Sequence, residues 1–203
     1  MKLITNTKID IEHFEKELMD NNLIIINHLF DYIELNELRI DKNKKVEYVL
    51  AYIKFWGLST QRLSKTFLQD YFKLLLSEPD YNIKTLCLSS NGKIQFSFAT
   101  KLLHTFNPEN PPYDSKVKNY LKIKKKSNSN SSEFYQNYCL EFNELLKMYS
   151  SRLTKLREKI KQLSKDEKVE YINNKLSTIN DVKLLDSVIW YLQKERDKLK
   201  QKG

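Results

Sequence analysis

The chain of 203 residues is poor in the residues that punctuate or cross-link a fold: two cysteines, three glycines, four prolines and two alanines. So little glycine and proline excludes collagen-like and Gly-rich chains. Cys87 and Cys139 lie far apart, each in an apolar context. That spacing argues against a disulfide framework or a cysteine-based metal cluster and suits a reducing, cytoplasmic setting. His13, His28 and His104 fall in separate helical segments with no ligand spacing, so no metal or cofactor is expected. Apolar runs such as Leu23–Ile26 are too short to span a bilayer, and the opening residues carry no secretory-leader pattern, so no membrane partner is expected. Nucleophile-elbow and Walker-type glycine patterns are missing too.

Arginine is the most telling shortage. There are 5 Arg against 30 Lys, with 18 Asn. Bidentate reading of guanine in the major groove favours arginine, so the composition fits a protein that grips a backbone better than one that reads bases. With 40% apolar and 12% aromatic residues, the chain carries enough to bury a core.

The net charge of +9 is unevenly placed. Residues 1–90 hold 12 basic and 13 acidic side chains, residues 91–126 hold 8 and 2, and residues 127–203 hold 15 and 11. About two thirds of the excess therefore sits in the middle segment, densest at Lys116, Lys118, Lys122, Lys124, Lys125 and Lys126. Such a stretch points to a polyanion, most simply the nucleic-acid backbone; a solvated charge run is the plainer account.

Helical periodicity dominates. Helices are expected over 8–20 (opened by Thr7-x-x-Asp10), 22–38, 44–55 and from a Ser59 cap to Ser77, with a short one at 82–88. The third should bury Val46, Val49, Leu50 and Ile53 and end at Gly57; the fourth should bury Leu63, Phe67, Tyr71 and Leu74. After the turn Ser89–Gly92 come a helix over 93–106, a Pro-rich loop, and a helix opened by Asp114 as N-cap. A long helix over 133–163 follows. Ser164-x-x-Glu167 and Thr178-x-x-Asp181 open two more, the last burying Leu184, Leu185, Val188, Ile189 and Leu192. The expected architecture is an all-α orthogonal helical bundle, one domain over 1–203. A flexible basic loop at 122–132 divides an N-terminal part, 1–121, from a C-terminal part, 133–203.

The informative stretch is 91–121. On a helix over 93–106, Lys93, Ser97, Thr100, Lys101 and His104 share one side, a narrow strip of amines, hydroxyls and an imidazole. A solvent-facing strip is the plainer reading. Ala99, opposite, permits close helix packing. Trp56 and Trp190 read as packing residues, and Asp186, inside LLDSVIW, as a buried link to Lys or Arg or, more remotely, a second catalytic carboxylate.

A glycine turn, a lysine directly after it, an apolar helix, a Pro-containing loop and an aspartate opening the next helix: this order resembles the helix-hairpin-helix DNA glycosylase superfamily. The resemblance covers about 30 residues, 91–121. It implies a base-excision enzyme of DNA repair, a hydrolase or lyase that flips a damaged or modified base from duplex DNA. Gly92 would sit in the phosphate-binding hairpin, Lys93 at the nucleophilic lysine position and Asp114 at the catalytic aspartate, with Lys101 a rival amine. Ser97, Lys101, His104, Tyr113 and Trp56 would line the pocket, with Phe98 a further aromatic candidate. The lysines at 116, 118, 122, 124, 125 and 126 would hold the backbone. Two other readings stand beside it: a non-catalytic nucleic-acid binder, and a helical interaction protein from a mobile-element or defence locus.

Overall fold

The computed structural model describes residues 3–4, 8–20, 23–58, 63–77, 89–90, 93–124, 131–163 and 166–202. Its described elements are the helices α1 (Ile11–Met19), α2 (Leu23–Ile40), α3 (Lys45–Trp56), α4 (Lys65–Ser77), α5 (Phe96–Phe106), α6 (Ser115–Tyr120), α7 (Ser131–Lys161), α8 (Glu167–Lys175) and α9 (Asp181–Lys202). A 3-10 turn, Leu176–Thr178, joins α8 to the approach of α9. Among the described residues the one departure from helix is an antiparallel pair of two-residue strands, β1 (Ser89–Ser90) and β2 (Lys93–Ile94), with Ser89 opposite Ile94 and Ser90 opposite Lys93. The all-α expectation holds. Among the described residues no helix is long and apolar enough to cross a membrane.

Helix starts follow the nearest short carboxylate, amide or hydroxyl. Asp10 accepts from the His13 N–H at 3.1 Å, Asp166 from Val169 at 2.8 Å, and Asn180 from Lys183 at 2.9 Å. The first and last two helices therefore start at 11, 167 and 181, with Asp10, Asp166 and Asn180 as caps in place of the expected Thr7, Ser164 and Thr178. Thr7 and Ser164 lie outside the described residues, and Thr178 belongs to the 3-10 turn. α4 likewise begins past Ser64, whose hydroxyl accepts from the Phe67 N–H at 3.2 Å; Ser59 and the helix expected at 82–88 lie outside the described residues. An Asp or Asn cap reaches the orphan N–H groups directly, so the helix starts there.

The expected stripe of α3 is a correction. Val46 is 70% and Leu50 61% exposed, while Tyr48, Tyr52 and Trp56 are buried. Two apolar series run along this helix one position apart, and the aromatic one buries more surface, so it takes the core side. On α4 the buried series is Phe67, Tyr71 and Leu75, with Leu74 only half-buried; Leu63, also half-buried, precedes the helix.

A large core joins α1, α2, α5, α6, α7, α8 and α9, including all five apolar residues expected on α9. A smaller one joins α3 and α4 to Leu35 and Leu102, and Phe55 packs against both. The N-terminal and C-terminal parts share the large core. Glu141 of α7 accepts the backbone N–H groups of Leu3 and Ile4 at 2.6 Å each, and the Tyr149 hydroxyl accepts that of Ile9 at 2.9 Å.

Candidate active site

α5 starts at Phe96, three residues later than expected, because residues 93–94 pair as a strand. Lys93 is thus not on the helical arc; its side chain, like Gly92, lies outside the described residues. The rest of the arc faces inward. Thr100 and His104 are fully buried and Lys101 is 7% exposed, with Ser97 half-buried at the edge. The solvent-facing reading of this strip is therefore corrected. Ala99, Leu102 and Leu103 are buried as well, so α5 is a central helix whose polar groups must find partners inside the protein.

Those partners position the Pro-rich loop. The Thr100 hydroxyl accepts the Tyr113 N–H at 3.1 Å and points its own proton at the Ser97 and Tyr113 carbonyls, 3.2 and 3.3 Å away. His104 Nδ1 meets the Asn110 carbonyl at 2.8 Å. From the other side, the hydroxyls of Tyr135 and Tyr138 donate to the carbonyls of Pro111 and Pro112, both at 3.0 Å. The loop is clasped between α5 and α7, and Asp114 emerges from it in extended backbone. Its Oδ1 accepts the Val117 N–H at 2.8 Å, the expected N-cap of α6. Tyr113 is buried against Phe96, Phe134 and Tyr138, so its ring is a core ring. Phe98, half-buried, packs edge-on to Phe67 and Tyr71.

The Lys101 amine donates to the Trp56 carbonyl at 3.0 Å, at the end of α3. An amine there satisfies an orphan helix carbonyl at the negative end of the macrodipole. Burial depresses the Lys101 pKa, while the charges of Asp114 and Asp186 work the other way and Lys183 adds to the depression. Burial likewise holds His104 at a pKa of about 3, so its imidazole is neutral; Nε2 lies 3.4 Å from the Tyr32 hydroxyl.

Beside this strip lies a second buried pair. Lys183 Nζ meets Asp186 Oδ2 at 2.6 Å, with the two side chains 1% and 4% exposed. The Lys183 ammonium also sits 5.0, 4.9 and 4.9 Å from the ring centroids of Tyr32, Phe55 and Trp56, a three-ring cage. Asp186 Oδ1 is buried with no hydrogen-bond partner, as is Trp56 Nε1. Burial pushes the Asp186 pKa up to about 6; Lys183 opposes the shift, Asp114 adds to it, and Lys101 opposes it more weakly. The buried link expected for Asp186 is thus present, to Lys183. Lys183 itself, Tyr32 and the cage were missed. The legible signal was a Lys three residues before an Asp on one face of an apolar helix.

Trp56 links the two amines: its ring lies 5.7 Å from Lys101 Nζ, 4.9 Å from Lys183 Nζ and edge-on to neutral His104 at 5.8 Å, while the charges of Asp114, Asp186 and Lys183 all act on Lys101. Lys116 is half-buried and paired to Asp197 at 2.5 Å. Lys118, Lys122 and Lys124 are exposed, and Lys125 and Lys126 lie outside the described residues. Among the described residues no group of three or more His, Cys, Asp or Glu side chains is arranged to hold a metal ion. The Cys139 thiol is pushed up to about 11 by burial, which leaves little thiolate at neutral pH. The chain matches no protein-family model, no curated protein and no solved structure.

Proposed function

We propose that the protein is a DNA base-excision enzyme, a glycosylase or glycosylase/lyase acting on a flipped base, with Lys101 in the amine role. One observation carries this reading: Lys101, an amine with a depressed pKa, is buried in the field of both Asp114 and Asp186. A lysine nucleophile has to be neutral, and desolvation favours the neutral form. Donating to the Trp56 carbonyl leaves a neutral amine its lone pair. Asp114, held by a backbone N–H, is oriented to stabilise positive charge developing on the sugar. As the bond from Lys101 Nζ to C1′ forms, the bond from C1′ to the base breaks and the departing base takes up a proton. The bond from C1′ to O4′ then breaks, the remaining amine proton passing to O4′, and the opened sugar is left joined to Lys101 as an imine. The fold reading that accompanies this one, a helix-hairpin-helix glycosylase-like orthogonal bundle, rests on the resemblance of residues 91–121. A second reading, binding without chemistry, is favoured by the small exposure of Lys101 and keeps the lysines of α6 and its following turn as backbone contacts.

The test is incubation with duplexes carrying assorted modified bases and abasic sites, with and without borohydride. Base release and a covalent adduct are expected for the wild type. The adduct should vanish in Lys101→Gln and persist in Lys93→Gln, and Asp114→Asn should slow release by about 100-fold or more. Release without an adduct would remove the amine role of Lys101 and leave Asp114 activating water. No release from any duplex, or full activity in Asp114→Asn, would overturn the reading.

A further inference from the structure

The basic stretch of residues 91–126 does not stand alone in the fold. Lys116 of α6 reaches Asp197 of α9 at 2.5 Å, and the Arg196 guanidinium lies 4.0 Å over the Tyr120 ring. Two segments remote in sequence, 115–122 and 194–200, are thereby laid side by side. Together they carry seven cations (Lys116, Lys118, Lys122, Lys194, Arg196, Lys198 and Lys200) against two carboxylates, Glu195 and Asp197. Both carboxylates are already engaged within the patch, Glu195 with Lys198 at 2.6 Å and Asp197 with Lys116. The remaining charge is crowded: Lys198 and Lys116 both press on Lys194, whose pKa is lowered by partial burial and then by these two neighbours. Like-charge crowding opposes folding and is relieved by a polyanion.

The same helix connects this patch to the buried site. At 100° per residue, Lys183, Trp190, Lys194 and Lys198 fall within about 80° of one another on α9. Lys183 is the caged ammonium at the buried end. Trp190 is half-buried, its ring stacked on His28 at 4.2 Å, and His28 stacks in turn on Phe55 of the cage at 5.0 Å. Lys194 Nζ stands 4.8 Å over the Trp190 ring, and Lys198 follows one turn further out. One stripe of α9 thus leads from the Lys183–Asp186 pair to the crowded surface.

We infer that the C-terminal half of α9, with Lys116, Lys118 and Lys122 beside it, is the surface on which the phosphate backbone of duplex DNA lies, one helix stripe away from the Lys101–Asp114–Asp186 site. The charge density suits that occupant. Residues 194–200 span about 9 Å of helix axis, over which a duplex presents about five phosphate charges, comparable to the excess of the patch. This surface deepens the base-excision reading, and it is tested without chemistry.

The probe is an unmodified 20-base-pair duplex, titrated with the full chain at several salt concentrations. Lys194→Gln, Lys198→Gln and Lys200→Gln are combined in one variant. Its log–log salt slope should be shallower than the wild type's by about 2 to 3, since each phosphate contact contributes about 0.9, and its affinity at low salt should fall at least tenfold. A control variant on α3 and α4, Lys54→Gln with Lys65→Gln and Lys73→Gln, removes the same charge from exposed positions and should leave the slope unchanged. The triple arginine variant at 194, 198 and 200 should retain wild-type binding. An unchanged slope in the glutamine variant, an equal loss in the control, or displacement of the duplex by polyglutamate at matched charge would overturn the inference. Wild-type binding with the expected slope but no release of any modified base would sink the excision reading alone. Excision that survives with unaltered binding in the glutamine variant would sink this surface alone.

Discussion

Lys183 and Asp186 show why a buried ion pair has to be judged by its surroundings. The pair is nearly inaccessible, and the ammonium gains three ring faces, while Asp186 Oδ1 has no hydrogen-bond partner. Removing one member strands the other in low dielectric, whereas removing both exchanges a costly desolvation for apolar packing. Asp186→Leu and Lys183→Met are each expected to destabilise the protein by about 3–5 kcal/mol. Lys183→Met combined with Asp186→Leu should cost clearly less than the sum of the single changes. Urea unfolding of the three variants checks this, and additive losses would show that the two residues do not act as a pair. At this scale the sequence was partly legible. Asp186 inside LLDSVIW announces a buried carboxylate, and its partner lies within one helical turn. The cage was not legible, because Tyr32 and the Phe55–Trp56 dipeptide belong to other helices.

Among the elements, α3 and α6 end alike but with different residues. After α3, the Gly57 N–H reaches the Lys54 carbonyl at 3.2 Å and Leu58 reaches Ile53 at 3.0 Å, with Gly57 at φ 56°. After α6, Lys122 reaches Asn119 at 3.3 Å and Ile123 reaches Lys118 at 3.0 Å, with Lys122 at φ 52°. Both are Schellman closures, which favour glycine at the left-handed position. A Cβ on Gly57 would meet nothing within 4 Å, so any cost of adding one is conformational. Gly57→Ala is therefore expected to destabilise by about 1 kcal/mol and Lys122→Gly to stabilise by about 0.5 kcal/mol. Paired thermal melts would show this as shifts of opposite sign, and shifts of the same sign would refute it. Gly57 was readable as a helix stop because glycine is scarce in this chain. The second closure was hidden behind a lysine, and the stripe of α3 was misassigned because two apolar series compete on one short helix.

On the scale of the whole molecule, α3 and α4 form a satellite core bridged to the main one through Phe55. Its internal order comes from rings and from a hydroxyl relay, in which Tyr52 and Tyr71 meet at 2.9 Å and Tyr71 donates to the Phe98 carbonyl at 3.1 Å. A smaller apolar unit opens at lower free energy than the core it leans on. Amides of α3 and α4 are expected to exchange with solvent through a common sub-global opening, faster than those of α7 and α9. Hydrogen exchange followed by mass spectrometry would reveal it, and equal protection in all four helices would contradict it. That opening bears on the candidate site, because Trp56, which accepts the Lys101 amine, belongs to the satellite core.

Helical class, the positions of most helices, the N-cap role of Asp114 and the buried character of Asp186 followed from local pattern, since capping, periodicity and burial preference act within a few residues. Which face of α5 turned inward did not. Its amine, hydroxyls and imidazole look like a solvent strip until the Pro-rich loop, α2 and α3 close over them and supply the partners that make burial tolerable. The shortage of arginine and the surplus of lysine were visible at once. That the 115–122 and 194–200 segments form one basic surface was decided by tertiary structure, because Lys116 and Asp197 meet across 81 residues of chain.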